Sequence, residues 1–450
     1  MRKVKSGISL TEGDISKHVL RLALPIVASL YLQSAFLIVD LYWVSKLGKQ
    51  AAAAVASGSF IVWMVEALTG MIGIGAMAII ARSIGAGDRE AAAVVSRQSL
   101  VLGVIFSVFT TIIGISASPA ILRFMGNEPE VVRMGESFLQ IIFSGIFTVY
   151  IFFILTNIYK GSGDTLTPMI FLIVSVSINM LLDPLLIFGI SIFPEMGIQG
   201  AGVATVLSTG IGSVIAILKM PRGFLPGKLI DLKPDFLVFA RILRVGAPYA
   251  LAGLLFCIVY IILSKITTLF GTEAMAALGI GHKVESLSYY ACLGFGAAAA
   301  ALVGQNLGAG KPARAARSAW TSVLMISVIN ALLGLLFFIF SDRIIMLFID
   351  DPLVIGRGGA YLRIIALSEL FMGLEIVLEG AFSGAGNTVP PMVISILFSV
   401  ARIPLAQLLS LHFGLGVNGV WWAISITTII KGALMALWFY RGKWKGKKIA

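Results

Sequence analysis

LRLALPIVASLYLQSAFLIVDLYWVSKLG, residues 20–48, returns in outline as LRVGAPYALAGLLFCIVYIILSKITTLFG at residues 243–271. Leu20, Arg21, Pro25 and Gly48 fall on Leu243, Arg244, Pro248 and Gly271, always 223 residues on. Three further pairs keep that offset: IGAGDREAA (84–92) with LGAGKPARAA (307–316), Glu128-Pro129 with Asp351-Pro352, and GSGDTLTPM (161–169) with GAGNTVPPM (384–392). Late in each half the offset shortens, so that Gly200 meets Gly419. The chain is a tandem repeat, and each copy opens with an apolar stretch long enough to cross a bilayer, which needs about 20 residues.

Hydropathy extends the reading to the whole chain. Of 450 residues 58% are hydrophobic and 12% charged, with a mean hydropathy of +0.98. Soluble domains are about 45–50% apolar and about 25% charged, so this is a polytopic membrane protein. Twelve helix-length apolar stretches stand near 18–44, 52–80, 98–122, 134–158, 167–192, 197–219, 243–270, 274–304, 318–340, 359–382, 390–413 and 416–440. None has the short alternating pattern of a barrel strand. With six spans per repeat, both halves start on the same side of the membrane. The expected fold is therefore all-α, with twelve transmembrane helices in two six-helix lobes related by a pseudo-twofold along the membrane normal. The expected division is an N-lobe at 1–218, a basic linker at 219–242 carrying Pro221, Pro226 and Pro234, and a C-lobe at 243–450.

A net charge of +12 could point to nucleic acid, but its distribution points elsewhere. Of 34 Lys and Arg, 23 fall at the termini or in loops on their side, and seven in the opposite loops. This positive-inside bias predicts both termini in the cytoplasm and a multi-pass protein of the cell membrane, with the lipid bilayer rather than nucleic acid as partner. The first apolar stretch exceeds a signal-peptide core and is read as a retained helix. Cys257 and Cys292 lie within spans as free thiols. His18, His282 and His412 are too scattered for a metal site, and no nucleophile motif is present, so no enzyme activity and no cofactor are expected. The Gly-rich motifs lack a Walker lysine and are read as tight turns.

Polar groups inside the spans are costly and mark sites facing a cavity. Asp40 lies late in span 1, two helical turns after Gln33, with Ser29 a further turn back. In span 5, Asn179 and Asp183 are four residues apart and share a face. Span 6 adds Thr205. Carboxylate, amide and hydroxyl oxygens suit a hard cation such as Na⁺, and the same carboxyl groups can carry a proton. The residues leave that choice open. Asp40 falls on Leu263 and Asp183 on about Ile403 in the second repeat, so the acids are not demanded by the fold. In the second half, Glu285 is read either as a site for a drug cation or proton or as an ion pair with Lys283 or Lys265. Glu66 in span 2 carries the same two readings. Arg402 is read as the partner of an acid, and Glu375 and Glu379 as snorkelling near the cytoplasmic end.

The paired six-helix halves, the span 1 stretch, GSGDTLTPM, NMLLDPLLIFG and GIQGAGVAT together resemble the multidrug and toxic compound extrusion (MATE) family over about residues 15–440. The acids in spans 1 and 5 are most similar to its prokaryotic DinF-like branch. That resemblance implies a monomeric secondary transporter that exports amphipathic, often cationic drugs in exchange for H⁺, Na⁺ or both. It implies ion coupling at Asp40, Asn179, Asp183 and Thr205, with Pro25 as the hinge at which span 1 bends. Gln33, Thr156, Asn157 and Glu285 are the expected substrate contacts. The alternative is a lipid-linked oligosaccharide flippase of the same superfamily, which would use Lys265, Lys283 and Arg402 toward a pyrophosphate.

Overall fold

A computed structural model describes residues 10–220 and 233–447. Among them lie fourteen α-helices and no strand. The first repeat forms α1 (Ile15–Ser45), α2 (Lys49–Gly85), α3 (Arg89–Phe124), α4 (Pro129–Ser144), α5 (Ile146–Ser162), α6 (Leu166–Phe188) and α7 (Ile198–Lys219). The second forms α8 (Phe236–Thr268), α9 (Thr272–Gly308), α10 (Pro312–Met346), α11 (Pro352–Ala366), α12 (Glu369–Gly384), α13 (Val389–Gln407) and α14 (Val417–Tyr440). The starts of α2 to α6 and of α9 to α13 keep the 223-residue offset one for one.

Ten helices are long and apolar enough to cross a membrane singly. The expected fourth span is instead two helices, α4 and α5, bent by 55° at Gly145. The tenth is likewise broken, between α11 and α12 at Leu367–Ser368. With α4 and α5 counted as one, eleven spans stand among the described residues, and the two breaks lie at equivalent places of the repeat. Hydropathy runs unbroken through both, so neither was expected.

The glycine motifs are turns whose next residue often caps a helix. Gly87 and Gly163 have φ of +80° and +86°, and Gly310 and Gly386 repeat them at +69° and +70°. Asp88 accepts from the Ala91 N–H at 2.9 Å, and Asp164 from the Thr167 N–H at 3.0 Å, satisfying orphan donors at helix starts. Of the expected linker at 219–242, residues 221–232 lie outside the described residues, and α8 starts at Phe236 rather than 243.

By internal contacts the described chain divides into two compact units, 28–247 and 10–27 with 248–447. The lobes expected from the repeat change at the linker, whereas this division falls inside α1 and α8, beside Pro25 and at Pro248. In the first unit, α2 holds the centre and two thirds of its apolar window is buried. In the second, α9 has that place. Leu10, Val19 and Leu22 join Phe295, Phe382 and Phe439 there in one buried cluster. The segment before α1 is tied down in the same unit. Asn306 Nδ2 donates to the Leu10 carbonyl at 3.3 Å, Lys311 Nζ to that of Thr11 at 3.1 Å, and Arg314 Nη2 to those of Glu12 and Gly13 at 2.8 Å. Asp14 accepts from the Lys17 N–H at 3.1 Å, which holds its carboxylate below the usual range.

Small residues let the central helices touch their partners. A Cβ on Gly380 of α12 would stand 2.1 Å from the Gly296 carbonyl oxygen, and one on Gly384 2.1 Å from that of Ala300. Gly384→Ala must therefore part α9 from α12. We expect a loss of about 1–3 kcal/mol, the usual range for overpacking, read as a lower thermal midpoint in detergent. Gly356→Ala, where a Cβ meets nothing within 4 Å, should leave the midpoint unchanged or raise it.

Candidate ion-coupling site

Within the first unit α6 and α7 lie close together. A Cβ on Gly200 would be 2.6 Å from the Leu186 carbonyl, so this crossing needs glycine. The approach sets Asn179 and Asp183 of α6 beside Thr205 and Ser208 of α7. Asp183 is fully buried and Asn179 nearly so. Asp40, on the second half of α1, is half-buried, and its carboxyl is near enough to that of Asp183 to interact by charge and hydrogen bond.

The Asn179 amide orders the cluster. With its nitrogen toward Asp183, it donates to Oδ2 at 2.9 Å and its oxygen accepts from the Thr205 N–H at 3.1 Å. The opposite orientation offers only 3.4 Å contacts to the hydroxyls of Thr205 and Ser208. The first orientation satisfies both ends of the amide, and we adopt it. The Thr205 hydroxyl donates to the Ala201 carbonyl at 3.0 Å, leaving its lone pairs to the site. Asp40 Oδ1 is buried with no partner among the described residues.

The set thus offers the oxygens of two carboxyls and two hydroxyls, with the Asn179 amide nitrogen holding Asp183. It suits a proton or a hard monovalent cation, and no His or Cys joins it. Among the described residues no group of three His, Cys, Asp or Glu is placed to hold a metal. Ser208 was not foreseen, although it stands three residues after Thr205 on the same helix face. Pro184 lies inside α6 and removes a backbone hydrogen bond next to Asp183.

A family model described as MatE matches residues 25–185 and 248–408, one stretch in each repeat. The chain belongs to the MATE family.

Members of the MATE family are transporters rather than enzymes. The chain is similar to a probable multidrug resistance protein NorM of Thermotoga maritima, 31% identical over 97% of this chain and 94% of that one. It is similar to a probable multidrug resistance protein YoeA of Bacillus subtilis, 28% identical over 94% and 93%. A solved MOP-superfamily transporter from Pyrococcus furiosus, described as having a binding pocket of reverse polarity, shares its fold. The TM-score there is 0.91, with 25% identity over 99% of this chain and 100% of that one.

The other expected site residues of this MATE chain stand elsewhere on α1 and α5 and in the second unit. Gln33 is exposed on α1. On α5, Thr156 is half-buried and donates to the Phe152 carbonyl at 2.9 Å. Asn157 is 4% exposed, donates to the Phe153 carbonyl at 2.9 Å and packs on Gly73 of α2, where a Cβ would stand 2.7 Å from its amide nitrogen. Asn157 thus fills a notch opposite Gly73, and Gly380 takes its place in the second repeat. Pro25 lies inside α1, two residues before the change of unit.

Glu285 lies in the second unit. Its partner is the Tyr361 hydroxyl, which donates to Oε2, and no ion pair to Lys283 or Lys265 forms among the described residues. Both lysines are exposed. Among the described residues Arg402 pairs with no acid. Its Nε donates to Thr427 at 2.8 Å and its Nη2 to Thr428 at 3.3 Å. Glu375 does not snorkel: it is buried and paired with Lys431 at 2.6 Å, a residue the sequence reading passed over. The four cations within spans thus do not converge on one anion site.

Proposed function

We propose that the protein is a secondary active multidrug exporter that exchanges H⁺ or Na⁺ for amphipathic, often cationic drugs by alternating access. The observation that carries this is the oxygen cluster of Asp40, Asn179, Asp183 and Thr205. Two carboxylates brought together in a low-dielectric interior repel one another, so the pair holds a proton or a cation between them. That occupant draws the second half of α1 toward α6, and its departure lets the two carboxyls separate. Pro25 supplies the point at which α1 bends, since it takes one hydrogen bond out of the helix. The names of the Thermotoga and Bacillus relatives support drug efflux, and the positive-inside bias supports cytoplasmic termini and export outward. The family resemblance supports a monomer.

The test is uptake of ethidium into everted membrane vesicles, driven by an imposed pH gradient and, separately, by an imposed Na⁺ gradient. We expect at least one gradient to drive uptake above vesicles lacking the protein. If neither does, the exporter reading fails and the flippase reading replaces it.

A further inference from the structure

We propose that Glu66, with Trp63 and Phe60, forms a binding site on α2 for the cationic group of a transported drug, apart from the coupling cluster. Glu66 is the eighteenth of the 37 residues of α2. A helix of that length exceeds the roughly 30 Å hydrocarbon core, so its middle residue lies near the bilayer centre. The Glu66 side chain is exposed on the surface of the first unit, and its carboxylate has neither hydrogen bond nor ion pair among the described residues. A carboxylate at that depth costs several kcal/mol against lipid tails. This face of α2 must therefore line a wet or ligand-holding space.

The surrounding burial agrees. On the same turns Gly58, Ile61 and Val65 are buried while Phe60, Trp63, Met64 and Glu66 are exposed, so the stripe is one face of α2. The stripe holds Phe60, Trp63 and Met64, each about half exposed. Trp63 stands one turn before Glu66, on the same side. Its ring meets that of Phe60 edge-on, with centroids 5.6 Å apart. An indole face beside a carboxylate complements an organic cation in both charge and shape. In the second repeat Phe60 falls on Lys283 and Glu66 on Tyr289, both exposed on α9. The first repeat thus carries an acid on this face and the second a base, at different positions.

This inference deepens the exporter reading and rests on it for the identity of the ligand, but its test is independent of transport. Tetraphenylphosphonium, a permanent cation without titratable groups, is bound to the purified full-length protein in detergent. We expect Glu66→Gln and Trp63→Leu each to weaken binding by about ten-fold, with Glu66→Asp close to wild type and thermal midpoints unchanged. Asp183→Asn should retain binding. Equal affinity in wild type and Glu66→Gln, or no binding to wild type, overturns the site. Glu66-dependent binding in a protein that moves no ethidium under either gradient would sink the exporter reading and leave the site standing.

Discussion

Replacing Asp183 by Asn should abolish gradient-driven drug uptake while leaving the protein folded. Asparagine has the shape of the aspartate and can still accept from the Asn179 amide, so the 2.9 Å contact survives. What it loses is the ability to take up and release a cation next to Asp40. Export coupled to that exchange then falls to background in everted vesicles at matched expression, with an unchanged thermal midpoint. Asp40→Asn should have the same consequence, because it removes the other half of the pair. Asn179→Ala should lower uptake partially, since it removes only the group that orients Asp183. Normal uptake by Asp183→Asn would mean that the cluster is a structural network.

The second large effect concerns stability. Lys431→Met leaves the Glu375 carboxylate buried and unpaired in the second unit. Removing one partner of a buried pair costs about 3–5 kcal/mol, because the remaining charge is left without compensation. The double substitution Lys431→Met, Glu375→Met removes both charges and keeps the volume, and should recover most of that loss. Thermal midpoints of the two single variants and the double variant in detergent give the coupling directly. A double variant as unstable as Lys431→Met alone would show that packing, not charge, carries the effect. Uptake measured on the same variants separates stability from transport, because the pair lies in the second unit and Asp40, Asn179, Asp183 and Thr205 in the first.

The parts of the fold that could be read from the chain are those written in one dimension. Span lengths, the 223-residue offset and the even topology follow from hydropathy and motif spacing. The Asn179–Asp183 pair was legible for the same reason, because four residues on a helix fix a shared face. The bend at Gly145 and the break at Leu367–Ser368 were not, since the apolar run passes through them unchanged and only packing decides where it breaks. Partners far apart in sequence were also hidden. Glu285 had lysines nearby in the chain, yet it meets a tyrosine 76 residues on. Lys431 finds Glu375 across 56 residues, and Arg402 finds hydroxyls rather than an acid. Asn157 looked like a lining residue, but Gly73 opposite it leaves a notch that it fills.

The tie that holds residues 10–14 also bears on the order of synthesis. Leu10, Val19 and Leu22 leave the ribosome long before their core partners Phe382, Met435, Phe439 and Trp444. Residues 10–27 must wait until residues 382–444 have been made before these contacts exist. Such separation makes closure a slow, late event. Residues 248–447 made alone would lack the wedge that fills this core. The second repeat becomes a complete body only when residues 10–27 have returned to it.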